Sequence, residues 1–199
     1  MIVVVAALKG GVGKTTTSVY LSALAGPEKR SVTLVDADPQ ASAADWVEHG
    51  ADAAFEALGV VEAPTERLLT KVLDQIEDDA VAIVDTPPGH ERLLAKALEW
   101  SDAVVIPTRV GGVETARVEA VLDMLPKGLP AGLVIASART FTRDYQETVA
   151  MWAEAGVPVW GTVPERVNIA TGPDGWLSAE GLDAYGEVWR RAKRAGRGQ

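Results

Sequence analysis

Residues 9–16, Lys9-Gly10-Gly11-Val12-Gly13-Lys14-Thr15-Thr16, decide how this chain is read. They follow an apolar run, Ile2–Ala7, and open a helical pattern, Lys14–Leu24. Glycines at 10, 11 and 13 let the backbone curl until successive N–H groups point inward, and the helix beginning near Lys14 adds its positive dipole end. A polyphosphate is then bound largely by main chain, with Lys14 neutralising its β- and γ-phosphates and the Thr15 hydroxyl placed for Mg²⁺. An ordinary glycine-rich turn is the competing account, but strand, loop, Gly-Lys-Thr and helix all occur in the required order. One position departs from G-x-x-x-x-G-K-[ST]: the leading glycine falls on Leu8, and a second lysine, Lys9, follows it.

Along the rest of the chain, short β-branched runs alternate with helical patterns. The runs are Ile2–Ala7, Val32–Val35, Val81–Val84, Ala103–Pro107, Leu133–Ala138 and Val157–Gly161. They are nearly continuous in apolar residues, as strands covered on both faces are. Helical patterns span Lys14–Leu24, Ala41–Glu48, Thr65–Glu77, Glu91–Trp100, Glu114–Leu125, Asp144–Glu154 and Ser178–Arg194. The alternation predicts an α/β fold: a doubly wound, mostly parallel sheet with helices on both faces and ligands beyond the carboxyl ends of the strands. Gly172-Pro173-Asp174-Gly175 reads as a surface turn. With 199 residues, a single P-loop domain over 1–199 is expected, ending in a short basic tail, 190–199.

Two of the runs end in carboxylates. Val32–Val35 leads into Asp36-Ala37-Asp38-Pro39-Gln40, and Val81–Val84 into Asp85-Thr86-Pro87-Pro88-Gly89. Carboxylates at strand ends beside a phosphate loop hold Mg²⁺ through its water shell, so Asp85 reads as a Walker B aspartate. Asp36 and Asp38 are also suited to capping the helix over Ala41–Glu48, a role that stays open for Asp36 in particular. The prolines stiffen these turns and Gly89 leaves a hinge, so both loops can change shape when a γ-phosphate leaves.

On these residues the sequence resembles the ParA/MinD family of deviant Walker A ATPases, and within it the small ParA-type partition ATPases that lack an N-terminal helix-turn-helix. The pattern K-G-G-x-G-K-[ST]-[ST] is matched at each fixed position by residues 9–16, D-x-D-P-Q by residues 36–40, and D-[TS]-P-P by residues 85–88. The resemblance implies ATP and Mg²⁺ as cofactors and an ATP-dependent sandwich homodimer, in which Lys9 is the signature lysine reaching the partner subunit's phosphates. A solvated loop charge is the other account of Lys9. It implies that Asp38 positions or activates the attacking water while Asp36 and Asp85 support the metal. The expected catalytic set is thus Lys9, Lys14 and Asp38. Nucleotide binding falls to Lys9, Gly10, Gly11, Val12, Gly13, Lys14, Thr15 and Thr16, and metal binding to Thr15, Asp36, Asp38 and Asp85. Further on, Ala138-Arg139-Thr140 resembles a family A-R-T, and Val163-Pro164-Glu165-Arg166-Val167 resembles its I-P-R-N-V, which implies that Pro164 and Arg166 lie near the adenine. Glu165 and Asn168 stand where the family has basic residues, and Arg139 and Arg166 also fit structural ion pairs.

Charge is unevenly spread. The net charge is −9, yet Arg190, Arg191, Lys193, Arg194 and Arg197 sit in the last ten residues with no acid, leaving 14 basic against 28 acidic side chains before them. This basic end fits a solvated tail, a nucleic-acid contact or a membrane anchor. The lack of a bulky apolar face beyond Trp189 argues against the membrane, and a DNA contact requires a dimer to bring two tails together. Leu182, Tyr185, Val188, Trp189 and Ala192 form the core-facing stripe of the last helix. The six tryptophans read as core, with Trp176 alternatively an exposed partner contact; His90 reads as a surface histidine or a dimer-interface contact.

The absence of cysteine excludes disulfides, thiol nucleophiles, cysteine-ligated zinc and iron–sulfur clusters, and two histidines exclude a histidine-rich metal site. No apolar run approaches a membrane span, and Met1–Ala7 is too short for a signal sequence, so a cytoplasmic protein is expected. The resemblance implies a slow, partner-stimulated ATPase that binds DNA without sequence preference, associates with the nucleoid in its ATP form, and drives plasmid or chromosome partition with a small ParB-type or centromere-binding activator. A MinD-like membrane-cycling regulator and a metabolic P-loop enzyme are the alternatives. At 199 residues no additional N-terminal helix-turn-helix region is expected.

Overall fold

The computed structural model describes residues 1–28, 31–166, 169 and 177–198. Its strands are β1 (Ile2–Val5), β2 (Val32–Asp36), β3 (Leu58–Glu62), β4 (Val81–Asp85), β5 (Ala103–Thr108), β6 (Ala131–Ala138) and β7 (Val159–Pro164). Its α-helices are α1 (Lys14–Ala25), α2 (Ser42–His49), α3 (Glu66–Leu73), α4 (Glu91–Leu98), α5 (Gly112–Asp123), α6 (Arg143–Glu154) and α7 (Ala179–Gly196). The strands form one sheet in the order β3-β2-β4-β1-β5-β6-β7, and every neighbouring pair is parallel. From β1 the chain travels outward to β2, then crosses back over β1 between β4 and β5. That reversal opens a crevice beyond the carboxyl end of β1, where open α/β sheets bind ligands.

Side-chain alternation explains why the strands read as continuous apolar runs. Along β1, Val3 and Val5 enter one core with α1, α2 and α7, while Ile2 and Val4 enter a second core with α3, α4, α5 and α6. Neither face sees water, so every position of β1 is apolar. Trp46 and Trp189 fill the first core and Trp152 the second; Trp160 is also buried, and Trp100 is half-buried.

Three expectations need correction. The sheet has a seventh strand, β3, where the apolar pattern predicts none. It pairs only with β2 at the sheet edge and is largely exposed, so Leu58-Gly59-Val60-Val61-Glu62 lacks the apolar continuity of a covered strand. The basic stretch from Arg190 is not a tail: α7 continues to Gly196, Ala192 is fully buried, and Gly196 packs beside Met1 and Asp102. Helices α3 and α4 stop at Leu73 and Leu98, short of the predicted Glu77 and Trp100, and tighter turns follow, with Gln75 N–H donating to Val72 and Trp100 N–H to Ala97. The Gly172–Gly175 turn, Trp176, Val167 and Asn168 lie outside the described residues.

Candidate functional site

The loop from Lys9 to Gly13 joins β1 to α1 at the sheet's carboxyl end. Gly11 and Gly13 take left-handed conformations, φ 74° and 97°, which side-chain-bearing residues rarely adopt. At Gly10 and Gly11 no atom lies within 4 Å of where a Cβ would stand, so the loop presents bare backbone to open space. Gly13 caps α1 without a side-chain bond, which leaves the first N–H groups of the helix for a ligand.

Lys14 is buried, and its ammonium donates to the Lys9 carbonyl at 3.0 Å, curling over the loop. Burial lowers the Lys14 pKa, opposed by the charges of Asp85 and Asp38. Thr15 Oγ1 donates to one oxygen of Asp85 and Ser18 Oγ to the other, each at 2.9 Å. Burial pushes the Asp85 carboxyl up to about 7, with the charge of Asp36 adding to it and the two hydroxyls and Lys14 opposing it. Asp36 pairs in register with Asp85 on the adjacent strand, so two buried carboxylates stand side by side beneath the loop.

Asp36 also performs the capping considered for it, from outside the helix. One of its oxygens accepts N–H bonds from Ala43 and Ala44 in the first turn of α2, and the other accepts from Asp38 N–H. Burial raises its pKa against these three bonds. Asp38 is half-buried and accepts from Gln40 N–H at 3.0 Å, a local turn that fixes its carboxylate near Lys14.

Beyond the loop a cavity of about 290 Å³ is lined by Gly11, Gly13, Lys14, Thr15 and Thr16 on one side and by Val163, Pro164, Arg166 and Ile169 on the other. Pro164 and Arg166 therefore join the loop in one crevice. Gly10, Lys9, Asp36, Asp38 and Asp85 are not on its wall, and Val12 is buried with its side chain turned to another crevice. Arg139 forms an exposed ion pair with Glu165, the structural account of that residue. Lys9 is not a free loop charge: its ammonium pairs with Glu114 in the first turn of α5.

Several residues of this region carried no recognised signal. Ser18 stands three residues beyond Thr15 on the same helix face, a spacing that places both hydroxyls on Asp85. Tyr185 lies in the apolar stripe of α7 but lines the cavity, with its hydroxyl 3.2 Å from Thr17 Oγ1, and burial raises its phenol pKa. Arg109, exposed after β5, and Ser137, left-handed at φ 51°, line it too. His90 precedes α4 and is exposed.

These donors fit a magnesium nucleotide. Among the described residues no three carboxylate or imidazole groups converge to cage a metal. Magnesium asks for less: one or two protein oxygens, with phosphate oxygens and waters completing its shell. The Thr15 hydroxyl beside Asp85, backed by a second buried carboxylate whose charge a cation would offset, supplies that set.

Residues 3–175 match the family described as the CobQ/CobB/MinD/ParA nucleotide binding domain. The maintenance of carboxysome distribution protein A of Gloeobacter kilaueensis is 42% identical over 102 residues, 50% of this chain and 45% of that protein. Protein ParA of Rhizobium radiobacter is 36% identical over 109 residues, 54% of this chain and 48% of that protein. The chain thus spans about half the length of these two relatives. Among solved structures, the septum site-determining protein MinD of Pyrococcus horikoshii, complexed with Mg-ADP, has the same fold: TM-score 0.75 at 21% identity, over 100% of this chain and 98% of that one.

Proposed function

The chain belongs to the CobQ/CobB/MinD/ParA nucleotide-binding family, and from that premise we propose that it is a ParA-type positioning ATPase. The observation that carries this reading is a phosphate loop with two lysines: Lys14 curled over the backbone cradle and Lys9 at its rim. ATP binds along the crevice, its phosphates on the loop N–H groups and Lys14 and its base toward Pro164 and Arg166. Thr15 and Asp85 hold Mg²⁺, with Asp36 and Asp38 behind them. The metal, when bound, offsets phosphate charge. Two chains meet face to face over their nucleotides, and Lys9 of each reaches the phosphates of the other.

Asp38 orients a water for in-line attack on the γ-phosphorus. The bond to the β-phosphate oxygen breaks, and Lys14 with the partner's lysine offsets the charge that develops. Turnover is slow, and a small ParB-type or centromere-binding protein accelerates it. The ATP dimer binds DNA without sequence preference and hydrolysis releases it, which places the protein on the nucleoid and moves a plasmid or chromosome cargo.

The test is Lys9→Ala. Fluorescent-nucleotide titration is expected to give parental affinity for the monomer, while sedimentation shows no ATP-dependent dimer and turnover is lost. A variant that still dimerises and hydrolyses ATP like the parent overturns the reading.

A further inference from the structure

The partner of Lys9 has no place in the site described so far. Glu114 is enclosed: its side chain is 10% exposed, against 43% for Lys9. Val12, Ile106, Val118 and Val121 line the crevice around it. Losing the opposing ammonium would leave a carboxylate among apolar groups, which costs more than a surface ion pair is worth. Yet Lys9 has to leave Glu114 to reach another subunit. One helical turn on, Arg117 is exposed, lines the same crevice and forms no ion pair among the described residues. Its spacing puts it on the same helix face as Glu114.

We infer that Glu114 is a positioning residue acting through Lys9. It holds Lys9 within its own subunit in the nucleotide-free chain, and Arg117 takes over the carboxylate when Lys9 crosses to the partner's phosphates. The inference rests on the dimer reading proposed above and adds its regulation: ATP has to compete with an internal ion pair before the second subunit can dock.

Two measurements separate the parts. In the nucleotide-free protein, acetylation by an N-hydroxysuccinimide ester is read by peptide mass spectrometry, with exposed Lys71 as the internal standard. Lys9 is expected to react several-fold faster in Glu114→Gln, and Glu114→Asp is expected to return toward the parental rate. Sedimentation then gives the ATP concentration for half-dimerisation. Glu114→Gln is expected to lower it about two- to fivefold, the range of a partly exposed ion pair, because the competing state is removed. Arg117→Ala is expected to raise it. Unchanged Lys9 labelling in Glu114→Gln overturns the hold on Lys9 whatever the dimer does. Faster labelling with an unmoved half-point overturns the link to dimerisation, and an unmoved half-point in Arg117→Ala overturns the hand-over. A parent that never dimerises with ATP removes the proposed function, while the labelling result still decides the internal hold.

Discussion

Asp85 carries the largest electrostatic tension at the site. Its folded pKa of about 7 lies above the ordinary value of 3.8, so between those limits the folded chain binds a proton that the unfolded chain does not. Stability therefore falls as pH rises through that window, at a slope of at most about 1.4 kcal/mol per pH unit. Asp85→Asn removes the buried charge. It is expected to melt above the parent at pH 8 in nucleotide-free thermal scans, with the gain shrinking steadily toward pH 4, while losing Mg²⁺-dependent turnover. A gain undiminished at pH 4 would contradict the assignment. Arg109 faces the same cavity from the end of β5; Arg109→Ala is expected to weaken ATP binding several-fold by titration without shifting the melting temperature. Of these residues the loop was legible in the sequence, because backbone geometry dictates glycine at fixed spacing and phosphate dictates lysine. Arg109 and Glu114 were not, because nothing local distinguishes a cation or carboxylate that faces a crevice from one that faces water.

Among the elements, strands with an unbroken apolar run follow from composition, whereas a largely exposed edge strand does not. Five strands were readable from unbroken apolar runs because both of their faces are largely buried, and β7, half-buried at the opposite edge, from its shorter run; β3 was missed because it is largely exposed. Close approach is equally hidden. Gly132 on β6 lies under the indole of Trp160 on β7, and a Cβ there would fall 2.1 Å from the ring. Gly132→Ala is expected to cost about 1–3 kcal/mol in denaturant melts through overpacking, with ATP affinity kept. An unaltered midpoint would show that the two strands separate more freely than their packing implies. The extent of α7, by contrast, was readable to within two residues from the pattern over Ser178–Arg194; its last turns are held locally, by Arg191 paired with Glu187 and Lys193 over Trp189, and at a distance by Arg191 donating to the Val159 carbonyl at 2.9 Å.

The molecule as a whole has two poles. The phosphate loop stands at the carboxyl ends of the strands, and the basic end of α7 packs beside Met1 and Asp102 at their amino ends. Subunits joined over their nucleotides would hold those basic ends apart at the far sides of the dimer, not together as the sequence suggested. If DNA nevertheless binds there, changing exposed Arg190, Arg194 and Arg197 to Gln is expected to flatten the slope of log affinity against log salt by about 2–3 for random duplex. An equal slope would move the contact elsewhere on the surface.

Complementation decides whether each site is built from two subunits. Lys9→Ala and Asp38→Ala chains are each expected to be inactive alone. Mixed with ATP, they form dimers in which the Lys9→Ala chain keeps its own Asp38 and receives Lys9 from its partner, so phosphate release should return. A mixture as silent as its two components would mean that Lys9 serves only its own chain.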